Sequence, residues 1–255
     1  MGFEEDAAGR MGMIENIDDN MGILLAKLAE WGMERNTLLI FMTDNGQARG
    51  VGSKARLKGG LVNVDFSGFK GGKNSPSEGG TSVPAFWRWR GVLPEGRNLG
   101  RLTAHIDLLP TFVELAGGRL PGGNQVRGRS LVPLLENPAA AWPDRFLFVH
   151  SGRWEKGEDP NLSKFKSCAV RSARFRLVNN KELYDIAADP FENHNVIDQH
   201  PEFVAQVRAA YGAWWTEAVP LMVNENVPNS PVRPYFVLYE QQLKSGGIPA
   251  WTPSL

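Results

Sequence analysis

One cysteine, no long apolar run and no excess of either charge restrict what this chain can be. The single cysteine, Cys168, excludes a disulfide within the 255 residues. No apolar run approaches the roughly 18 residues of a membrane span, so no membrane-spanning helix is expected. Lysine and arginine together number 28, as do aspartate and glutamate, so bulk charge indicates neither nucleic acid nor an acidic membrane surface as a partner. The first residues also lack the basic region and the apolar stretch of a secretory signal.

The composition is that of a globular protein with a full-sized core. Hydrophobic residues make up 42% of the chain and charged residues 22%. The length suffices for one large domain or for a domain with a smaller module. The eight tryptophans are many for this length, and tryptophan often contacts carbohydrate. Because tryptophan is also an ordinary core residue, the core interpretation is favoured for most of them.

Helices and strands alternate in the first half of the chain. Apolar residues recur at helical spacing over 14–31 and predict an amphipathic helix, and the run 38–42 predicts a buried strand. A glycine-rich stretch at about 45–80 follows, and loops of this length in compact domains are usually functional or disordered. A second strand is predicted at 83–89 and a second helix at 107–115. This alternation predicts an α/β sheet with parallel or mixed pairing.

The second half of the chain predicts a smaller module with antiparallel strands. Proline-rich sequence separates it from the first half, which places the domain boundary near residue 145. The predicted organisation is an α/β domain at 1–145, an antiparallel sheet and helix module at 146–222, and an extended, proline-rich tail at 223–255. The predicted elements of the module are strands at 146–150, 167–170 and 175–178 and a helix at 201–219.

Basic residues between positions 164 and 181 alternate with apolar ones. Arg171, Arg174 and Arg176 belong to this set, whose apolar members include Val170 and Leu177. Such alternation is typical of an antiparallel sheet with one solvated face. It therefore favours a solvated sheet face over a nucleic-acid-binding patch.

Two oxygen-bearing side chains come directly after the first predicted strand. The sequence there is Thr43-Asp44-Asn45-Gly46, so Asp44 and Asn45 lie where the strand ends. In open α/β sheets, ligands bind beyond the carboxyl ends of the strands. The carboxylate and amide oxygens suit Ca²⁺ or Mg²⁺. An ordinary Asp-Asn-Gly turn without a metal is the alternative.

A glycine-rich segment at 72–80 carries a lysine, Lys73, whose ammonium group suits an oxyanion. A nucleotide-binding P-loop is excluded twice. Ser67 stands where that motif requires the first glycine, and Asn74 follows the lysine instead of serine or threonine. A flexible surface loop with a solvated lysine is the remaining alternative.

His105 and Asp107 lie where a predicted strand meets the helix at 107–115. Asp107 fits the N-cap of that helix. A structural role is favoured for His105, with a metal-binding or acid/base role as the alternative.

Together these segments resemble the sulfatase family, the arylsulfatase-like branch of the alkaline phosphatase superfamily. The order and approximate spacing of the motifs agree over nearly all of residues 13–220. The matching stretches are Met13-Ile14-Glu15-Asn16-Ile17-Asp18-Asp19-Asn20, Thr43-Asp44-Asn45-Gly46, Gly72-Lys73, Glu78-Gly79-Gly80, Val83-Pro84, His105-Ile106-Asp107-Leu108-Leu109-Pro110-Thr111, Glu182-Leu183-Tyr184-Asp185 and Asp189-Pro190.

The resemblance implies an alkaline-phosphatase-like α/β fold and metal-assisted hydrolysis of a sulfate ester. It implies that Asp44 and Asn45 complete a Ca²⁺ site, with Mg²⁺ less favoured, and that Lys73 is a catalytic residue that contacts the substrate sulfate. Glu78 is expected to hold its loop together and not to act on substrate. The family also suggests a sulfated small molecule or glycan as substrate and a periplasmic, extracellular or lysosomal-type compartment.

One essential part of the family pattern is absent from these 255 residues. Sulfatases use a formylglycine made from a Cys/Ser-x-Pro-x-Arg segment, and no such segment occurs in the sequence. Residues 168–172 lack the proline, and Arg171 stands one place early. Cys168 is therefore expected to be a buried structural residue.

The chain is accordingly expected to be the C-terminal portion of a sulfatase, inactive by itself, with apolar edges exposed where the rest of the sheet is missing. Two alternatives stay open. One is a phosphatase or phosphodiesterase of the same superfamily. The other is a non-catalytic module that binds sulfated glycans.

Overall fold

The computed structural model describes residues 2–3, 5–47, 54–57, 60–63, 68–120, 126–222 and 232–247. The helices are α1 (Glu5–Glu30), α2 (Glu78–Thr81), α3 (Leu108–Leu115), α4 (Val132–Glu136), α5 (Pro201–Met222) and α6 (Pro234–Lys244). The strands are β1 (Gly2–Phe3), β2 (Leu39–Met42), β3 (Lys54–Leu57), β4 (Gly60–Asn63), β5 (Ala85–Arg88), β6 (Leu147–His150), β7 (Cys168–Arg171), β8 (Phe175–Val178) and β9 (Glu182–Asp185).

The strands described form three sheets, with orders β1-β3-β4, β2-β5 and β6-β7-β8-β9. All of their pairings are antiparallel, whereas the sequence predicted parallel or mixed pairing in the first half. Strand β5 pairs Ala85 with Met42 and Arg88 with Leu39, so it begins beside the end of β2. The chain between the two strands thus returns to the edge at which β2 ends, which makes their pairing antiparallel.

Helix α1 carries a large apolar surface that little of the described chain covers. It contains the predicted helix at 14–31 but begins at Glu5. Leu28 is its one buried residue among the side chains described there. A helix with one apolar face is normally buried along that face. Exposed apolar side chains of this helix are Met13, Ile14, Ile17, Ile23 and Leu24. They lie on a helix and not on a sheet edge, so the predicted exposure of apolar sheet edges stays a prediction.

The C-terminal module has the densest core, with helix α5 packed on its four-stranded sheet. Val204, Val207, Tyr211 and Trp215 are buried and recur every three or four positions along α5, which places them on one face of the helix. They pack against buried side chains of the sheet that include Leu183, which has no exposed surface. The predicted strands and helix of the module are confirmed, and β9 adds a fourth strand that the sequence analysis did not predict.

The single cysteine, Cys168, lies inside the C-terminal module. Cys168 is buried as expected, and burial raises the pKa of its thiol, which keeps the sulfur protonated.

In the tail, helix α6 contradicts the predicted extended conformation. Pro234 does not prevent this helix, because it occupies the first helical turn, where proline is tolerated. The tail residues 223–231 and 248–255 lie outside the described chain. Among the helices described, none is long and apolar enough to cross a membrane.

A buried ion pair fixes the segment that leads into α3. The carboxylate of Asp107 has no exposed surface and accepts hydrogen bonds from both terminal nitrogens of Arg145, with 2.7 Å between Nη1 and Oδ1. It also accepts from the backbone N–H groups of Ala104 and Arg129, each at 2.8 Å. Asp107 thus occupies the N-cap position of α3, as the sequence predicted, but its carboxylate makes no capping bond to that helix. The carboxylate caps the preceding 3₁₀ turn at His105–Asp107 instead.

His150 lies against the core of the C-terminal module. Its Nδ1 is 3.0 Å from the hydroxyl of Tyr211, and its ring packs edge-on against Trp215 with centroids 4.8 Å apart. The Tyr211 hydroxyl donates to the carbonyl of Lys164, so His150 Nδ1–H is the donor to Tyr211. Burial lowers the pKa of His150, which keeps the imidazole neutral in the folded chain.

The neutral state of His150 predicts a loss of stability in weak acid. The unfolded imidazole takes up a proton below about pH 6.5, whereas the folded one does so only at lower pH. The free energy of unfolding should therefore fall as pH decreases below about 6.5 and stop falling below the folded pKa. Urea unfolding between pH 7.5 and 5 measures this decline, and His150→Gln should reduce it. An unchanged decline in His150→Gln would contradict the neutral state of His150 in the folded chain.

Removal of the charge of Asp107 should strongly destabilise the fold. Asp107→Asn leaves the Arg145 guanidinium, which is 7% exposed, without its carboxylate. Loss of one partner of a buried pair costs about 3–5 kcal/mol. Urea unfolding checks this value. Glu217→Gln breaks the exposed pair with Arg127 and should give no resolvable change. Equal effects of the two substitutions would contradict the structural role of Asp107.

Candidate active site

The end of β2 presents Asp44 and Asn45 in a tight turn. The Thr43 hydroxyl donates to the carbonyl of Asn45 at 3.0 Å, and the Asn45 N–H donates to Asp44 Oδ1 at 2.9 Å. Asp44 is exposed and Asn45 is partly buried. The Asn45 side chain donates through Nδ2 to the Gly46 carbonyl at 3.3 Å. Strand β2 therefore ends in a turn, as the sequence predicted, and the hydrogen bonds of this turn hold both side chains at the sheet edge.

A second segment supports this strand end. His105, in the 3₁₀ turn before α3, lies with its Nε2 2.8 Å from the carbonyl of Thr43. The carbonyl is an acceptor only, so Nε2–H is the donor. This contact agrees with the structural interpretation of His105.

The loop that carries Lys73 is bound directly to this turn by the main chain. The Gly46 N–H donates to the Gly80 carbonyl at 3.0 Å, and the Lys73 N–H donates to the Gln47 carbonyl at 2.7 Å. The backbones approach so closely that a Cβ atom on Gly46 would lie 2.0 Å from the carbonyl oxygen of Gly79. The structure thus brings together the segments of Asp44, Asn45 and Lys73, which the sequence singled out separately.

The loop leaves the side chain of Lys73 available. Lys73 is exposed, and it forms no side-chain hydrogen bond or ion pair with any residue in the described part of the chain. Gly71, two residues before Lys73, and Asn74, directly after it, have left-handed backbone conformations, with φ of +84° and +69°. The Lys73 ammonium group therefore has no partner in the described part of the chain and can contact a ligand.

Beneath the loop lies a buried cluster of charged side chains. Glu78 accepts from Arg176 Nη2 at 2.5 Å, and the Pro76 carbonyl accepts from Arg176 Nη1 at 2.7 Å. Glu192 lies 3.4 Å from Arg176 Nε and accepts from the backbone N–H of Glu78 at 3.2 Å. Burial raises the pKa of Glu192. Glu78 therefore holds the loop to β8, as the sequence predicted, and does not face the sheet edge as a free acid.

The position of two arginines corrects the sequence-based prediction of a solvated sheet face. Arg176 is only 3% exposed, and the Arg171 side chain is 14% exposed with its Nε 3.6 Å from Glu78. Burial lowers the pKa of Arg171. The alternation along the strands is real, but the loop at 70–80 covers this part of the face. Arg174 does remain exposed, where it pairs with Asp185.

The side-chain oxygens of Asp44 and Asn45 are of the chemical type that Ca²⁺ accepts as ligands. A carboxylate and an amide oxygen are hard ligands of the kind Ca²⁺ takes, and Ca²⁺ takes six to eight of them. Within residues 5–47, 68–120, 126–222 and the shorter described segments, no group of three or more His, Cys, Asp or Glu side chains could hold a metal. Asp44 and Asn45 can therefore contribute to such a site but do not complete one.

Comparison with known proteins agrees with the motifs and with the fold. The sulfatase family model matches residues 4–118, and the model described as N-sulphoglucosamine sulphohydrolase, C-terminal, matches residues 75–210. Steryl-sulfatase of Mus musculus is 36% identical over 151 residues, which are 56% of this chain and 24% of that protein. Arylsulfatase D of Homo sapiens is 34% identical over 158 residues, which are 59% of this chain and 26% of that protein.

A solved structure extends the comparison to three dimensions. The crystal structure of Ps i-CgsB in complex with k-i-k-neocarrahexaose matches with a TM-score of 0.66 at 25% identity, over 83% of this chain and 43% of that one. The present chain thus spans about a quarter of the two relatives above and less than half of this solved protein. From the two family models and the alkaline-phosphatase-like fold, the chain belongs to the sulfatase family.

Proposed function

We propose that this chain is the C-terminal part of a sulfuric ester hydrolase and supplies one side of its active site. The observation that carries the proposal is the pair of backbone hydrogen bonds between the Asp44-Asn45 turn and the Lys73 loop. They hold the backbone of the Lys73 loop against the turn that carries the oxygen atoms of Asp44 and Asn45. A sulfate ester is a compact anion, so the Lys73 ammonium group can contact its oxygens directly, whereas Asp44 and Asn45 would act on it through a bound cation.

Lys73 acts on the sulfuryl group of the substrate. Hydrolysis breaks the S–O bond of the ester and releases an alcohol and sulfate, with water supplying the hydroxyl group and the proton. Negative charge builds on oxygen atoms around sulfur during this reaction. The Lys73 ammonium stabilises that charge more strongly in a site that excludes water.

Asp44 and Asn45 are the residues of this chain that would hold a divalent cation, Ca²⁺ in preference to Mg²⁺. When bound, such a cation polarises the sulfuryl oxygens as a Lewis acid. The Asp44 carboxylate is oriented without a ligand by the hydrogen bond from the Asn45 N–H, and the Asn45 side chain by its own bond to the Gly46 carbonyl. The remaining ligands and the formylglycine nucleophile are supplied from outside these 255 residues.

The substrate we propose is a sulfated carbohydrate or another sulfated small molecule. Support comes from the fold relative Ps i-CgsB, whose crystal structure contains k-i-k-neocarrahexaose. The sequence contains no Cys/Ser-x-Pro-x-Arg segment, so the 255-residue chain by itself should show no turnover.

Substitution of Lys73 tests the proposal. The purified chain and the longest open reading frame that contains it are assayed with 4-nitrophenyl sulfate and 4-nitrophenyl phosphate. We expect the longer protein to hydrolyse the sulfate and Lys73→Ala to lower kcat by about 100-fold or more, since one charge-stabilising group is lost. Lys156→Ala, at an exposed turn of the C-terminal module, is the matched control and should retain full activity.

Three results would contradict this proposal. Turnover by the 255-residue chain that disappears in Lys73→Ala would show that no further segment is needed. Preferential hydrolysis of the phosphate would favour a phosphatase or phosphodiesterase. Binding of a sulfated glycan by the longer protein without turnover would favour a non-catalytic module.

Removal of the cation tests the assignment of Asp44. In the longer protein, a chelator should abolish hydrolysis of the sulfate ester, and added Ca²⁺ should restore it. Asp44→Ala should raise the Ca²⁺ concentration for half-maximal activity by about tenfold or more, because a charged ligand is lost. The same change at Asp198, an exposed aspartate of a 3₁₀ turn, should leave that concentration unchanged. If both variants need the same Ca²⁺ concentration for half-maximal activity, Asp44 is not a ligand of the metal.

A further inference from the structure

The C-terminal module contacts the Lys73 loop at several points along its length. At the start of the loop, Lys70 donates to the Tyr184 hydroxyl at 2.6 Å, and its Nζ lies 4.5 Å from the centre of that ring. Near the lysine, the Ser151 hydroxyl lies 3.4 Å from the Asn74 carbonyl. Strand β9 therefore reaches the beginning of the loop, and the residue that follows β6 reaches its middle.

The strongest of these contacts comes from Arg176 on β8. Its guanidinium, 4% exposed, binds the Pro76 carbonyl and the Glu78 carboxylate through different nitrogens. The carboxylate of Glu192, which has no exposed side-chain surface, lies 3.4 Å from Arg176 Nε. One planar group thus connects three chain segments: the loop, the start of α2 and the turn that follows β9. A lysine at this position has one nitrogen and could not reproduce that fork.

We propose that Arg176 is a positioning residue for Lys73. It holds the loop by its second half, at Pro76 and Glu78, and so fixes where the ammonium group lies relative to Asp44. Only the consequence for sulfate binding rests on the function proposed above. The ordering of the loop does not depend on that function.

The geometry of the loop explains how a contact at Pro76 and Glu78 can determine the position of Lys73. Lys73 precedes Pro76 by three residues, and the left-handed conformations at Gly71 and Asn74 leave the intervening backbone few alternatives. Gly80 at the end of the loop is packed so closely that a Cβ atom there would lie 2.2 Å from the Ser75 carbonyl oxygen. A loop this tightly packed moves as a unit, so loss of its bond to β8 should displace Lys73 as well.

Trypsin cleavage of the 255-residue chain between Lys73 and Asn74 tests the ordering of the loop. Mass spectrometry quantifies this cut in the wild-type chain and in Arg176→Met. We expect cleavage to become about tenfold faster or more in Arg176→Met, because proteolysis follows local opening. Arg174→Met removes an arginine of the same sheet that does not touch the loop, and its rate should equal that of the wild type.

A second control separates positioning from a general loss of stability. Val207→Ala weakens the core of the same module but leaves Arg176 and its partners in place. Its cut at Lys73 should stay near the wild-type rate at temperatures where the module is folded. If Val207→Ala or Arg174→Met accelerates the cut as much as Arg176→Met does, the positioning role of Arg176 is wrong.

The affinity for inorganic sulfate distinguishes a positioning role of Arg176 from a purely structural one, because a purely structural role would leave this affinity unchanged. Calorimetric titration of inorganic sulfate into the longer protein should show weaker binding in folded Arg176→Met by about tenfold or more, partial recovery in Arg176→Lys, and wild-type affinity in Val207→Ala. Unchanged sulfate affinity in Arg176→Met would overturn the effect on Lys73. If Lys73→Ala itself leaves the affinity unchanged, the proposed role of Lys73 in sulfate binding fails, whereas the trypsin result still decides the ordering of the loop.

Discussion

The buried contact between Arg176 and the Lys73 loop is the interaction on which the candidate site depends. The Arg176 guanidinium and the Glu78 carboxylate are both largely buried, so the hydrogen bonds of Arg176 to Glu78 and to the Pro76 carbonyl form in a region from which water is largely excluded. It also joins parts of the chain that are about a hundred residues apart. The small C-terminal sheet is therefore more than an appended module. Its side chains pack beneath the loop that carries Lys73 and hold that loop in place.

The local part of the site could be predicted from the sequence, because local patterns determine it. An apolar run followed by Thr-Asp-Asn-Gly specifies a strand that ends in a turn, and the glycines around Lys73 specify a tight loop. The cross-chain contacts could not be predicted in this way. Arg176 alternates with apolar neighbours as a solvated residue would, and only the loop packed over it makes it a buried one. Helix α6 and strand β9 were missed for a related reason, since proline and short strands give weak local signals.

The distribution of buried surface differs greatly between the two halves of the described chain. In the C-terminal module, α5 covers the sheet and buries Val207, Tyr211 and Trp215. In the first half, α1 leaves large apolar side chains such as Ile14 and Ile23 exposed. Hydrophobic burial is the dominant stabilising contribution in folding. The C-terminal module is accordingly the part of the described chain with the greatest capacity to hold its own structure and to support the loop.

The contact between Gly46 and the Gly79-Gly80 backbone has a consequence for how such a site can change. The spacing between the turn after β2 and the end of the lysine loop at Gly79-Gly80 is set by main-chain atoms in direct contact. Side chains on the surface around these two segments can therefore be exchanged while the distance between the two backbones stays the same. In this architecture, variation in the surrounding side chains is mechanically separate from the spacing of the two segments.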